Sequence, residues 1–526
     1  MMPILVLVTV SMAVAASPPL GAPAPVPTPA PTPAPAPPHT PPPGEASADS
    51  ALEQAAAALA TEIAALSPPS PDDPAWRTRA QGAIDRGRAF TARFPTDPRG
   101  LEVQATLAIE LEDDEAVDAS MRALLALAPS KTAAGLAWAR YWQTRDTTRA
   151  RAVLEELVAG RPDALQYIQH LMTTLLAEGP GAVRTRFDTL ARSDETFSQA
   201  VRELDILARV HGPAAAAIGE SLRASRPDDL ELLIATARGY RHANQFAAAR
   251  RLMNSVPEAL LTDPAHVYLW SDVHYADHEF DRARELLDSI DMDALEASGR
   301  PGLHRRLRFM IPLRQTAADG WPAESERRAS DASRGDNPLA TLIVEGREVT
   351  VELFEDDAPN TVAAFVAAAD RGHFDGHPAG LVHRGFRTIF GDRREDDGMP
   401  PWTIPDEHEL PQARPILAGS LVAYRTSRLD SADTTFFVMH FPGPHLNNKR
   451  TTFGRVLTGL DVIREMEQGD VLDSVVVTRR RPHPYDPIVL DTAGNRLPLS
   501  ELTDRPAAAP DGVTEDPPPP ADGTPS

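Results

Sequence analysis

The chain has 526 residues, 42% apolar and 24% charged, with 52 prolines, no cysteine and a formal net charge of −23. That length exceeds one ordinary core and points to two or three domains. The acid excess excludes a nucleic-acid backbone or an anionic membrane as main partner. Without cysteine there is no disulfide, thiol nucleophile or thiolate metal site.

In chain order, residues 1–16 are almost wholly apolar and end in Ala13-Val14-Ala15-Ala16, the small-x-small pattern of a cleaved secretory signal. The stretch is too short to span a bilayer, and no later one is apolar for long enough, so no integral membrane span is expected. Export to a periplasmic or extracellular compartment is expected. Residues 17–46 are Pro/Ala-rich and predict an extended linker that cannot build a core.

From 47 to 314 apolar residues recur three or four positions apart, as in amphipathic helices. Turns containing Pro95, Pro129, Pro162 and Pro227 lie 34, 33 and 65 residues apart. Gln245-Phe246-Ala247-Ala248-Ala249-Arg250 realigns with Glu279-Phe280-Asp281-Arg282-Ala283-Arg284 at a spacing of 34. Helical hairpins of that period, with Ala249 and Ala283 at close helix contacts and Phe246 and Phe280 wedged between hairpins, resemble tetratricopeptide repeats. Such an array leaves a groove that takes a protein partner. Residues 315–338 lose the period and read as a linker.

At 339 the period turns strand-like. Ala340 to Val344, a Glu345-Gly346 turn and Val349 to Phe354 predict a hairpin, and Pro359 opens a helix reaching Asp370. Residues 496–526 read as a Pro-rich disordered tail.

Within 339–495, Val351-Glu352-Leu353-Phe354, Ala358-Pro359-Asn360-Thr361 and Arg371-Gly372-His373-Phe374 are followed by His383-Arg384, Gly391-Asp392 and Asp406-Glu407. Thr435-Phe436-Phe437-Val438, Pro444-His445-Leu446 and Phe453-Gly454-Arg455-Val456 complete the series. In this order and spacing the segment resembles a cyclophilin-type peptidyl-prolyl cis-trans isomerase. The resemblance implies a closed eight-stranded antiparallel β-barrel with two helices, after an all-α helical-repeat array. Its site would lie on the outer wall, because side chains fill so small a barrel.

Cyclophilin chemistry lowers the ~18–20 kcal/mol barrier to rotation about an X-Pro bond. A guanidinium donating to the pyramidal prolyl nitrogen stabilises the twisted state over either planar one, with no cofactor and no metal. The resemblance gives that role to Arg384, and gives a proline-binding slot to Phe386, Phe437 and Leu446, with His445 beside it. The loop after His383-Arg384 is about three residues shorter than the family pattern. The family's Gln that hydrogen-bonds the substrate backbone falls at Ile389, its Met at Arg387, its second Gln at Thr435, its Ala and Asn near Tyr424 and Arg425, and its late His at Arg450, so much of the grip on the substrate backbone is expected to be lost. Three readings follow: an isomerase with weakened or altered catalysis on Pro-containing polypeptide clients, a non-catalytic binder of Pro-containing segments, or an assembly scaffold in which the repeats are the functional part.

Overall fold

The structure, a computed structural model, describes residues 48–391 and 402–503. The expected signal at 1–16, the linker at 17–46 and Asp392 lie outside the described residues, as does the tail beyond 503. No described helix is long and apolar enough to cross a membrane. The chain divides into two compact units, one ending at Thr189 and one beginning at Leu190.

The first unit is a run of helices from Ala48–Ala64 to Pro180–Leu190 in which successive helices pack together. Side-chain N-caps from Asp73, Asp113 and Asp146 start three of them by accepting from free backbone N–H groups.

The second unit continues with helix pairs Leu230–His242 with Phe246–Ser255, and Pro264–Ala276 with Phe280–Asp288. The 34-residue repeat appears in the turns of these pairs. Asn244 and His278 both adopt left-handed backbone, φ 62° and 65°. In each turn the next N–H reaches the carbonyl five residues back, Gln245 to Tyr240 at 2.9 Å and Glu279 to His274 at 3.1 Å. That bond satisfies helix-end carbonyls. Phe246 and Phe280, expected between hairpins, instead join Tyr275, Ala283 and Trp321 in a cluster completed by Leu417 and Phe441 of the strand-rich part.

The linker expected at 315–338 is corrected. Residues Pro301–Arg334 form one continuous helix despite Pro312 and Pro322 inside it, each of which removes a backbone donor. Its anchoring side chains are charged, so apolar periodicity missed them. Arg414 Nε and Nη2 donate to Glu324 (2.9 and 3.1 Å), and Nη1 donates to Asp331 (3.0 Å) and Asp357 (3.2 Å). Arg414 is 2% exposed and lies 4.1 Å from the Phe354 ring centroid. Burial alone would lower its pKa, but Glu324, Asp331 and Asp357 outweigh that and raise it. The tail expected at 496–526 is also corrected at its start. Arg496–Pro498 pairs with Ile488–Leu490, and Leu497, Leu499 and Leu502 join the barrel core.

The antiparallel sheet contains β1 (Leu339–Val344), β2 (Arg347–Leu353), β3 (His377–Pro378), β4 (Leu381–His383), β5 (Arg387–Phe390), β6 (Ser420–Ala423), β7 (Phe436–Met439), β8 (Thr452–Thr458) and β9 (Val471–Arg479). Its order is β3-β9-β1-β2-β8-β6-β7-β5-β4. The outermost pieces, β3 and β4, belong to one short segment that pairs first with β9 and then with β5. Ala379 N–H reaches Asp470 (2.8 Å) and Gly380 N–H reaches Ile389 (3.0 Å), so this bent segment curls the sheet back on itself. Counting β3 and β4 as one reduces the nine strands to eight.

The β1–β2 turn is Glu345-Gly346, both at positive φ (47° and 71°), the twist that a two-residue hairpin demands. Glu407 caps the Pro359–Asp370 helix from a distance, accepting from the N–H groups of Asn360 (3.0 Å) and Thr361 (2.8 Å). Phe365, Phe374, Phe436 and Phe453 fill the interior, with ring centroids 5.2–6.1 Å apart.

Candidate functional site

Side chains alternate along a strand, and β5 and β7 split accordingly. Phe390, Phe436 and Val438 belong to the barrel interior. Ile389, Phe437 and Met439 belong to a second cluster on the outer wall, with Val422 and Ile416, and Phe386, Tyr424 and Leu446 pack against it. Three of the expected slot residues, Phe386, Phe437 and Leu446, are therefore brought together. Phe437 is fully buried as the floor, whereas Phe386 and Leu446 are half-buried walls. His445 is exposed at the mouth and stacks on Phe386, with ring centroids 5.9 Å apart and planes at 23°. Burial lowers its pKa, and Lys449 and Arg387 add to this.

Arg384 is placed elsewhere. With fewer residues to turn in, β4 ends at His383, which pairs directly with Arg387, so Arg384-Gly385-Phe386 becomes the turn. Phe386 N–H closes it onto His383 C=O at 2.9 Å, and Gly385 supplies φ 72°. From that turn Arg384 Nη2 donates to Glu467 Oε1 at 2.7 Å.

The guanidinium over the slot is that of Arg387. Its central carbon lies 4.6 Å from the Phe437 ring centroid, 5.0 Å from Phe386 and 5.7 Å from Tyr424. Such placement is favourable for a cation. Arg387 is half-buried, and burial lowers its pKa. Its Nε is buried with no hydrogen-bond partner among the described residues. The sequence marks this residue only as the one that directly follows Phe386, where the family pattern has an uncharged side chain.

The remaining altered positions serve the scaffold. Arg425 ties loops together through the carbonyls of Thr426 (3.2 Å), Arg428 (3.2 Å) and Lys449 (2.8 Å), with Asp406 at 3.3 Å. Thr435 donates to Gly391 C=O at 3.1 Å. Ile389 forms part of the apolar wall.

The inward neighbour of Arg387 on β5 is Thr388. Its Oγ1 accepts from His440 Nε2 (2.9 Å), and His440 Nδ1 accepts from the Asn244 amide (3.2 Å). The same amide donates to Arg464 C=O at 2.8 Å. A turn of the helical repeats is thus tied through His440 to the strand residue next to Arg387. His440 is fully buried, and burial, with Arg464 and Arg384 adding, pushes its pKa down to about 3. It is therefore a neutral imidazole with its proton on Nε2.

Comparison with known proteins agrees with this architecture. Residues 340–493 match the family described as cyclophilin type peptidyl-prolyl cis-trans isomerase/CLD. Peptidyl-prolyl cis-trans isomerase B of Bacillus subtilis is 36% identical over 138 residues, 26% of this chain and 94% of that protein. A peptidyl-prolyl cis-trans isomerase of Synechococcus elongatus is 35% identical over 141 residues, again 26% of this chain and 94% of that protein. A crystal structure of a cyclophilin from Hirschia baltica aligns with 29% of this chain and 78% of that one, at 23% identity and a TM-score of 0.24. Through residues 340–493, this chain belongs to the cyclophilin-type peptidyl-prolyl cis-trans isomerases.

Proposed function

We propose that the protein isomerises X-Pro bonds of exported polypeptide clients, with the prolyl ring in the Phe386–Phe437–Leu446 slot beneath His445. In this reading Arg387 takes the electrostatic role that family resemblance gives to Arg384. The observation that carries it is the Arg387 guanidinium, held over the slot floor with its Nε lacking an acceptor. Its terminal Nη groups would donate to a substrate prolyl nitrogen or adjacent carbonyl. Donation strengthened in the twisted state is differential transition-state binding, and each 1.36 kcal/mol of it is about tenfold in rate. The helical repeats would hold the client close, which raises its effective concentration. A binder without turnover is the second reading, favoured by the apolar Ile389 where the family pattern has a substrate-gripping Gln.

Exchange NMR on a short X-Pro peptide with the full chain tests both. Acceleration is expected, with Arg387→Ala losing about tenfold or more and Arg384→Ala staying within about twofold of wild type. Exchange left at its uncatalysed rate across several X-Pro sequences would remove the isomerase reading. The opposite ranking of the two variants would return the role to Arg384.

A further inference from the structure

The second unit gathers positive charge in a chain whose overall charge is strongly negative. Arg209 and Arg238, from helices Asp194–Val210 and Leu230–His242, share Asp205. One turn beyond Arg238, Arg241 shares Asp272 with Arg314 of the long helix. Arg306, from the start of the long helix, and Arg314 both lie over Tyr268, at 5.2 and 4.7 Å from the ring centroid. Among the described residues Arg306 has no carboxylate partner.

Five guanidinium groups therefore face two carboxylates, Asp205 and Asp272, which leaves three positive charges in excess. Asp263, which also attracts Arg238, is held by Arg300 at 2.7 Å. His242 lends no charge, because burial and the surrounding arginines hold its pKa at about 3. Burial would raise the Tyr268 phenol pKa, yet Arg314, Arg306 and Arg241 lower it instead.

The cluster is open to solvent. Arg209 and Arg306 are exposed, and Arg238 and Arg241 keep 17% and 15% of their side chains accessible deeper in. It also leads to the slot. A Cβ at Gly385 would lie 3.2 Å from Arg241 Nη1, so the deep end of the cluster touches the active-site turn.

We propose that this arginine trough binds an acidic stretch of polypeptide flanking the proline, which makes X-Pro bonds beside clustered Asp and Glu the preferred substrates. The client part of this rests on the isomerase reading; the trough itself does not. Side-chain carboxylates pair with guanidinium groups bidentately, and partly desolvated sites strengthen that pairing.

The test uses the full chain and a labelled proline-free hexa-glutamate peptide followed by anisotropy. Saturable binding is expected, weakening about tenfold or more between ~50 and ~300 mM salt. The double variant Arg209→Glu/Arg306→Glu, both positions being exposed, is expected to abolish it while circular dichroism stays unchanged. Exchange NMR is expected to favour a Glu-flanked X-Pro peptide over a neutral one about fivefold in wild type and not in the variant. No binding, or binding indifferent to the double variant, overturns the proposal. So does a single-stranded oligonucleotide of equal charge that binds as tightly with the same arginine dependence. If even the neutral X-Pro peptide is not turned over, the isomerase reading fails while anisotropy still decides the trough.

Discussion

The barrel interior and the seam between repeats and barrel are both nearly dry, yet only the seam buries charged groups. The interior is aromatic and aliphatic, with Phe365, Phe374, Phe436 and Phe453 in mutual contact. The seam sets buried polar groups beside the apolar cluster of Phe246, Tyr275, Phe280, Leu417 and Phe441: Arg414 among Glu324, Asp331 and Asp357, and His440 between Thr388 and Asn244. An apolar core tolerates sliding and repacking, whereas hydrogen-bonded charge pairs are satisfied in one arrangement only. The seam thus fixes where the helices sit against the β4–β5 hairpin, and the interior supplies most of the driving force.

The comparison breaks most visibly at buried groups. Arg414→Ala is expected to cost about 3–5 kcal/mol, because it strands Glu324 and Asp331 in a dry site. Phe436→Ala is expected to cost a similar ~3–5 kcal/mol through a cavity in the barrel. Chemical denaturation of the full chain measures both. High salt should leave both losses nearly unchanged, since the pair is shielded from solvent ions.

Acid separates the two regions. The half-buried His242 and His278 and the fully buried His440 are neutral, with pKa values near 3, each held down first by desolvation. Their folded-state pKa is depressed and the unfolded value is about 6.5. Unfolding therefore takes up protons below pH 6.5. The stability these groups contribute is full above that pH and drains away as pH falls toward 3. Urea midpoints across this range should fall, and His440→Gln should flatten the slope. An unchanged slope would place the acid sensitivity elsewhere.

Asn244→Ala removes the donor to two acceptors, His440 Nδ1 and Arg464 C=O, and is expected to cost about 1–3 kcal/mol. It should also lower turnover by loosening Thr388 behind Arg387, visible as reduced kcat with little change in KM. Limited proteolysis should spare 315–334, where the sequence alone predicts a cut. The smallest effect belongs to Arg384→Ala, whose pair with the exposed Glu467 is expected to be worth about 0–1 kcal/mol of stability.

What the sequence made legible follows the same divide. The hairpin at 339–353, the Pro359 helix start and the slot residues Phe386, Phe437 and Leu446 could be read because apolar spacing and family order both report them. The 34-residue period at 244–284 was legible through small and aromatic residues. The helix at 315–334 was not, because Pro312, Gly320 and Pro322 read as breakers and its anchors, Glu324 and Asp331, look like surface charges until Arg414 is seen between them. The position of Arg387 over Phe437 was hidden for another reason. Motif order preserves which residue follows His383, but a shortened turn decides which residue ends on the strand.

Arg414 has a further consequence, in the time the chain takes to be made. Asp331 and Arg414 are 83 residues apart. At about 5–20 residues per second, the carboxylates of the long helix wait about 4–17 s for their cation. During that interval Glu324 and Asp331 have only Arg328 and Arg334 of their own helix as partners, so the helix end has reason to stay wet and frayed. The repeats emerge first but cannot be completed first. Synthesis of the strand β6 region is what locks them, and a ribosome stalled before Arg414 would hold an array whose last helix is still open.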